Sequence, residues 1–317
     1  MKIKKEINIL GFLKFFFRKY ISKFNSLSDN KFIDPVAIVN TYQKYDQFIK
    51  INLSKSLKLS RREMTNKNGH LYFYMPGFCI ACNRKSLFLV DGQFGGEVVD
   101  GVLMPNWRER MECKYCHMNN RQRLVVGLIL QKAVNKSLSI YFMEQVTPIF
   151  QWAQKHLGKD HRIIGSEYLG YEHQGGKIIN GIQHENIEKL SFKDNEFDLI
   201  ISNDVFEHVP NPSNAFKECS RVLKLGGEML ATIPFYDNLE YSVKRARIEN
   251  NEVKYLLKPQ FHGNPLSENG SLVFNDFGWD LLTTIKLNGF KNANIELFLS
   301  EKYGHIGQIQ LVFRLLK

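Results

Sequence analysis

One run, LSFKDNEFDLIISNDVFEHVPNPSNAFKECSRVLKLGGEMLATIPF from Leu190 to Phe235, constrains the fold more than any other part of this 317-residue chain. Its DNEFDLIIS portion is a turn feeding a short apolar strand, the pattern of a strand covered on both faces. NDVFEHV then places polar groups at that strand's C-terminal end, the edge where open α/β sheets bind their ligands. Pro210 and Pro212 bracket a tight connection, and AFKECSRVL has the helical period. Lys224-Leu225-Gly226-Gly227 stops that helix and restarts a strand, the glycines tolerating positive φ. From Leu138 onward SLSIYFM, RIIGSEY, FDLIISN and GEMLATIPF alternate with helical segments such as PIFQWAQKHL and NAFKECSRVL. Such alternation predicts a mostly parallel sheet with covering helices. The tail, NANIELFLS then HIGQIQLVFRLL, predicts two adjacent strands joined by a short turn, forming an antiparallel C-terminal edge.

Four of the five cysteines, Cys79, Cys82, Cys113 and Cys116, form C-x2-C-x30-C-x2-C. Each pair can fold a knuckle that turns two thiolates to one side of a tetrahedral ion. Two knuckles close an all-thiolate site with no open position, the structural arrangement of zinc. A redox pair or an iron–sulfur site would use the same residues. The segments between the pairs, with DGQFGGEVVDG at their centre, predict β-hairpins. Cys219, within a helical run, reads as a small core residue. Arg121 and Arg123 follow the second knuckle and read as a phosphate contact, a solvated face or a domain seam.

Charge separates the chain into parts. Residues 1–70 carry 15 Lys and Arg against 5 Asp and Glu, whereas residues 137–317 carry 19 against 22. The basicity therefore belongs to the front, and a broad nucleic-acid groove across the mildly acidic remainder is not indicated. Near the start, Leu10, Leu13, Phe17, Tyr20 and Phe24 recur at helical spacing, with Lys14, Arg18, Lys19 and Lys23 interrupting the apolar run. That pattern excludes a transmembrane helix. It fits a helix over residues 5–24 that either lies on an anionic membrane or docks on the body. A second, polar helix is expected from about Val36 to Leu57. The division that follows is a basic helical arm (1–70), a zinc-ribbon-like module (71–120) and an α/β domain (121–317).

The central run resembles the core of class I S-adenosylmethionine-dependent methyltransferases, in the group with FD-x-I…EHV-x-[DN]-P…RVLKPGG…PF. Leu225 stands where that group has proline. The resemblance extends over residues 138–317 and includes FNDFGWDLLTTIKLNGF. The CxxC pairs, MEQVTP, GSEYLG and FHGNP together resemble a bacterial subgroup that prefixes a zinc-ribbon-like segment to a Rossmann-like methyltransferase domain, met near surface-glycan synthesis.

The resemblance implies roles for particular residues. Glu167 would hold the cofactor ribose, and Asn186, beside Ile187, would face the adenine. Asn203 and Asp204 would lie by the methionine portion and the substrate. In MEQVTP the usual glycines are absent. Glu144 would meet the cofactor ammonium, and Thr147 would cap a helix start able to attract a carboxylate. His208 and His262, with Asp204, are the catalytic candidates, the histidines as bases for a hydroxyl or amine acceptor. Each residue has a plain structural alternative: Glu167 a surface carboxylate, Glu144 a salt bridge, Asn186 a turn, Asp204 a cap, His208 and His262 hydrogen-bonded histidines. The expected function is a cytoplasmic methyltransferase acting on a hydroxyl or amino group of a sugar, nucleotide sugar or lipid-linked glycan. The alternatives are an RNA- or protein-modifying methyltransferase and a catalytically inactive scaffold.

Overall fold

The computed structural model describes residues 33–52, 72–99, 102–134 and 136–317. The expected helix over residues 5–24, and with it much of the basic arm, lies outside the described residues. A seven-stranded sheet organises the rest. Its strands are β1 (Ala37–Val39), β2 (Ser139–Phe142), β3 (Arg162–Gly165), β4 (Phe197–Asn203), β5 (Leu223–Thr232), β6 (Asn292–Ser300) and β7 (His305–Leu316). They lie in the order β1-β6-β7-β5-β4-β2-β3. The four strands β3, β2, β4 and β5 run parallel. β7 enters antiparallel beside β5, and β6 returns antiparallel beside β7.

Two expectations are corrected here. The C-terminal strand pair does not form the sheet edge, because β1 adds antiparallel to β6, with Ala37 opposite Leu297. Residues near Val36 are accordingly strand and not helix: Val36 N–H donates to Leu297 O at 2.8 Å. The β-branched pair Ile38-Val39 suits this pleated position, and β1 satisfies the backbone groups β6 would otherwise expose. Helix α1 begins only at residue 42 and is described to residue 52.

Helices α2 (Asn120–Ala133), α3 (Pro148–Leu157), α4 (Pro212–Val222) and α5 (Leu281–Leu287) complete the layers. Local chemistry fixes where they start. Asn119 and Gln122 form a capping box on α2, while Thr147 caps α3 with Pro148 in its first turn, and Asn211 and Pro212 do the same for α4. Alternate residues of each strand face opposite cores, as the period of two requires. On one face Ile140, Phe142, Ile201 and Leu230 pack with Val125, Ile129 and Phe150. On the other, Tyr141, Ile200, Met229 and Phe313 pack with Phe216, Cys219 and Ile285.

The cysteine segment is a hairpin, Tyr72–Cys79 paired with Arg84–Asp91, to which Glu112–Cys113 adds a third strand. Its core is continuous with the first face of the sheet: Cys79, Phe88, Met111 and Met118 belong to the same cluster as Leu124 and Ile140. Trp152 of α3 donates its indole N–H to Ala81 O at 2.9 Å. Residues 236–273 carry two further hairpins, Ala246–Glu249 with Glu252–Tyr255 and Phe261–Asn264 with Ser267–Leu272. Among the described residues, no helix is long and apolar enough to cross a membrane.

Candidate functional site

The sheet order reverses direction at β2. The chain leaves β2 for β3 on one side, then crosses back to β4 on the other. The C-terminal ends of β2 and β4 therefore flank a switch-point crevice, where open α/β sheets bind ligands. Glu144 follows β2, and Asn203 ends β4. Asn203 Nδ2 donates to Glu144 Oε1, leaving Glu144 Oε2 and Asn203 Oδ1 buried without hydrogen-bond partners. Burial raises the Glu144 carboxyl to about 8 despite the Asn203 bond. In its ionised form Glu144 sets a buried, unpartnered acceptor beside the unpartnered Asn203 amide oxygen, an environment for a cationic N–H donor.

The glycine-free turn between β2 and α3 is tied to the end of β3. Gln145 N–H donates to Ser166 O at 3.0 Å and Val146 N–H to Glu167 Oε1 at 2.8 Å. Burial raises the Glu167 carboxyl, and those amides partly offset the effect. Thr147 Oγ1 accepts from Phe150 N–H at 3.4 Å and donates to Glu144 O at 3.2 Å. Glu144, Thr147, Glu167 and Asn203 thus stand together around one turn. Asn186 lies further along the same edge, its side chain accepting from Glu188 N–H at 2.9 Å in a local turn, with Ile187 buried beneath.

Asp204 is engaged by the cysteine segment. It sits at φ 56°, a left-handed conformation that Asp tolerates better than most residues. Arg108 binds both of its carboxylate oxygens, and Arg121 approaches at 3.2 Å. Thr232 Oγ1 of β5 adds a hydrogen bond at 3.2 Å. Burial alone would raise this carboxyl, but Arg108 and Arg121 hold it well below the usual range. Glu109 bridges Arg121 through two contacts of 3.0 and 3.1 Å. Arg121 is therefore part of a seam between α2, the cysteine segment and the ends of β4 and β5. Sequence reasoning missed Arg108; its only signal was an Arg-Glu-Arg triplet shortly before the second CxxC pair.

Beyond Asp204 the chain makes a 3₁₀ turn, Phe206–His208. His208 Nδ1 lies 2.8 Å from Leu272 O, and the His208 and His262 rings meet edge to face at 5.2 Å. Between them stands Glu207, the acidic residue of the EHV run, for which the sequence suggested no role. Its side chain is fully buried, and neither carboxylate oxygen accepts a hydrogen bond. The Glu207 carboxylate raises the His262 imidazole above its usual value. The structure thus brings both histidine candidates together on one carboxylate.

The four cysteines converge as their spacing predicts. Sγ atoms of Cys79 and Cys116 lie 3.8 Å apart, and those of Cys82 and Cys113 lie 3.9 Å apart. A tetrahedral ion with Zn–S bonds of about 2.3 Å separates its sulfurs by about 3.8 Å, so the donor set and spacing fit zinc. Ser86 Oγ at 3.1 Å and Tyr115 N–H at 3.4 Å contact the Cys113 sulfur. Such outer contacts orient thiolate ligands.

Comparison with known proteins gives one family match: residues 139–231 match the model of a methyltransferase domain. A sarcosine/dimethylglycine N-methyltransferase of Halorhodospira halochloris is 30% identical over 92 residues, 28% of this chain and 33% of that protein. An uncharacterized protein of Methanocaldococcus jannaschii is 46% identical over 46 residues, 14% of this chain and 22% of that protein. The chain spans a third or less of the length of these curated relatives. Among solved structures, an S-adenosylmethionine-dependent methyltransferase from Mesorhizobium loti is similar at 14% identity and TM-score 0.37, over 60% of this chain and 97% of that one. A 1,6-didemethyltoxoflavin-N1-methyltransferase from Burkholderia thailandensis, solved with S-adenosylhomocysteine, is similar at 12% identity and TM-score 0.36, over 60% of this chain and 75% of that one.

Proposed function

We propose that this chain is an S-adenosylmethionine-dependent methyltransferase whose cofactor lies across the ends of β2, β3 and β4. The methyltransferase-domain match carries the reading, because residues 139–231 are the segment whose strand ends build the switch-point crevice. The chemistry of the crevice supports it. Glu144 Oε2 and Asn203 Oδ1 are buried acceptors without donors, and the cofactor's ammonium would bring N–H groups to both. Glu167 holds the turn at Val146 and, from the end of β3, would serve the ribose hydroxyls.

When bound, the cofactor supplies an electrophilic methyl group on a positively charged sulfur. The chain's own contribution is to align an acceptor with it, so positioning supplies much of the acceleration. His208 and His262 stand at the C-terminal end of β4, where a base for an alcohol or amine acceptor belongs. The hairpins of residues 236–273 form the acceptor wall, with Tyr255, Leu257 and Phe261 exposed on them. A sugar, nucleotide sugar or lipid-linked glycan is the acceptor we favour. Support comes from the resemblance of the CxxC segment and the glycine-free turn to a subgroup met beside glycan synthesis. Cys79, Cys82, Cys113 and Cys116 would hold structural zinc, and residues 5–24 would bring the protein to the cytoplasmic face of an anionic membrane.

Calorimetry with S-adenosylmethionine and S-adenosylhomocysteine tests the reading on metal-replete protein. Both are expected to bind, and Glu144→Gln to weaken binding by about 1.5–3 kcal/mol, the range for a hydrogen bond to a charged group. Folded protein that binds neither compound would overturn the enzyme assignment.

A further inference from the structure

We propose that Glu207, His208 and His262 form a second metal centre, a site for a divalent transition cation such as zinc, distinct from the four cysteines. The three side chains offer one carboxylate oxygen and two imidazole nitrogens, all within 4.8 Å of one another. Glu207 Oε1 lies 3.5 Å from His208 Nε2 and 3.4 Å from His262 Nδ1. Those separations are long for hydrogen bonds. They match the ligand-to-ligand edge of a tetrahedral ion, about 3.3–3.4 Å for bonds of 2.0–2.1 Å.

The hydrogen bonds around the site point the same way. Leu272 O can only accept, so His208 Nδ1 carries a proton and donates to it across 2.8 Å. That bond turns His208 Nε2 toward the Glu207 carboxylate, 3.5 Å away. A metal-bound imidazole has just this arrangement, one nitrogen on the ion and the other N–H held by a carbonyl. Gln260 Nε2 lies 3.3 Å from His262 Nε2, and the flipped amide would put its oxygen there to accept that N–H likewise. Glu207 is the strongest element: a carboxylate at 0% exposure whose oxygens accept no hydrogen bond and whose ion-pair contacts are the two histidine nitrogens is costly to bury without compensating positive charge, which an ion held by all three side chains would supply.

Asp204 is not a ligand, since Arg108, Arg121 and Thr232 already occupy its oxygens. The same pairing neutralises Arg108. Two histidines and one carboxylate are the ligand set of catalytic zinc centres, which leave a position open, unlike the closed four-thiolate site. Resting on the methyltransferase reading, that open position would take an oxygen of the acceptor and ease its loss of a proton, the two histidines then acting as ligands and not as free bases.

Zinc counting tests the site without cofactor or substrate. The full chain and its His262→Ala and Glu207→Gln variants would be equilibrated with buffered free zinc, and bound metal measured by mass spectrometry. His262 lies on an exposed hairpin, so its variant is expected to keep the wild-type circular dichroism. Wild type should carry one zinc equivalent more than either variant, and variant affinity for that equivalent should fall at least tenfold. Equal equivalents in wild type and either folded variant would overturn the three-residue centre while leaving the cofactor reading intact. Wild type with the extra equivalent but no cofactor binding would do the opposite, upholding the metal centre and overturning the methyltransferase reading.

Discussion

Glu144 has a folded-state value of about 8, above the ordinary carboxyl range, so its effects fall at physiological pH. Protonated Glu144 suits its buried position, and this contribution to stability is complete in acid. It is lost progressively as pH rises from the ordinary carboxyl value through about 8. A cationic cofactor reverses the preference by favouring the ionised form. Affinity should therefore rise with pH, by up to about tenfold per unit below pH 8, with proton release on binding. Calorimetry in buffers of different ionisation enthalpy measures that release, and Glu144→Gln should abolish it. A wild-type affinity flat between pH 6 and 8 would reject the ammonium contact. Glu144 was legible in the sequence because it follows an apolar strand. Its bond to Asn203 was not, since that depends on β2 and β4 being neighbours 59 residues apart in the chain.

Among the elements, the joint between β4, β5 and α2 is held by charge. Asp204 and Arg108 are both largely shielded, and removing one partner leaves the other uncompensated. Asn also tolerates the left-handed φ of position 204, so Asp204→Asn removes the charge without straining the backbone. It should cost about 3–5 kcal/mol of unfolding free energy in denaturant titrations, the range for a broken buried pair. A loss below about 1 kcal/mol would show the seam to be dispensable. The Asp204 result also bears on legibility. Sequence spacing placed this residue at the end of β4 but was blind to Arg108, which approaches from 96 positions away. Similarly, all four parallel strands were readable from their apolar runs, whereas β1 was mistaken for helix. Three residues are too few to display a period, and only the open edge of β6 made them a strand.

At the scale of the whole molecule, the cysteine segment is structurally part of the body built on the seven-stranded sheet. One apolar cluster runs from Cys79 and Phe88 through Leu124 of α2 to Ile140 and Leu230 of the sheet. Gly304 and Gly307, at the start of β7, accept the rings of Phe88 and Trp107 so closely that an added Cβ would lie 2.5 and 2.1 Å from them. An independent module would unfold alone when stripped of metal, whereas a shared core transmits the loss. The free energy of ion binding to a thiolate site is in large part folding free energy. Chelation, or Cys113→Ser, should therefore lower the melting temperature of the sheet itself in a single transition. Far-UV circular dichroism would follow the sheet, and fluorescence would follow Trp107 of the cysteine segment and Trp152, whose indole is bonded to the knuckle, alongside Trp279 on the opposite face. Coincident shifts in both signals are the expected result. A chelated protein whose sheet melts at the unaltered temperature, while local fluorescence near the knuckle changes, would make the segment a separable appendage after all. In that case the Arg108–Asp204 seam, and not the shared core, would be what holds it in place.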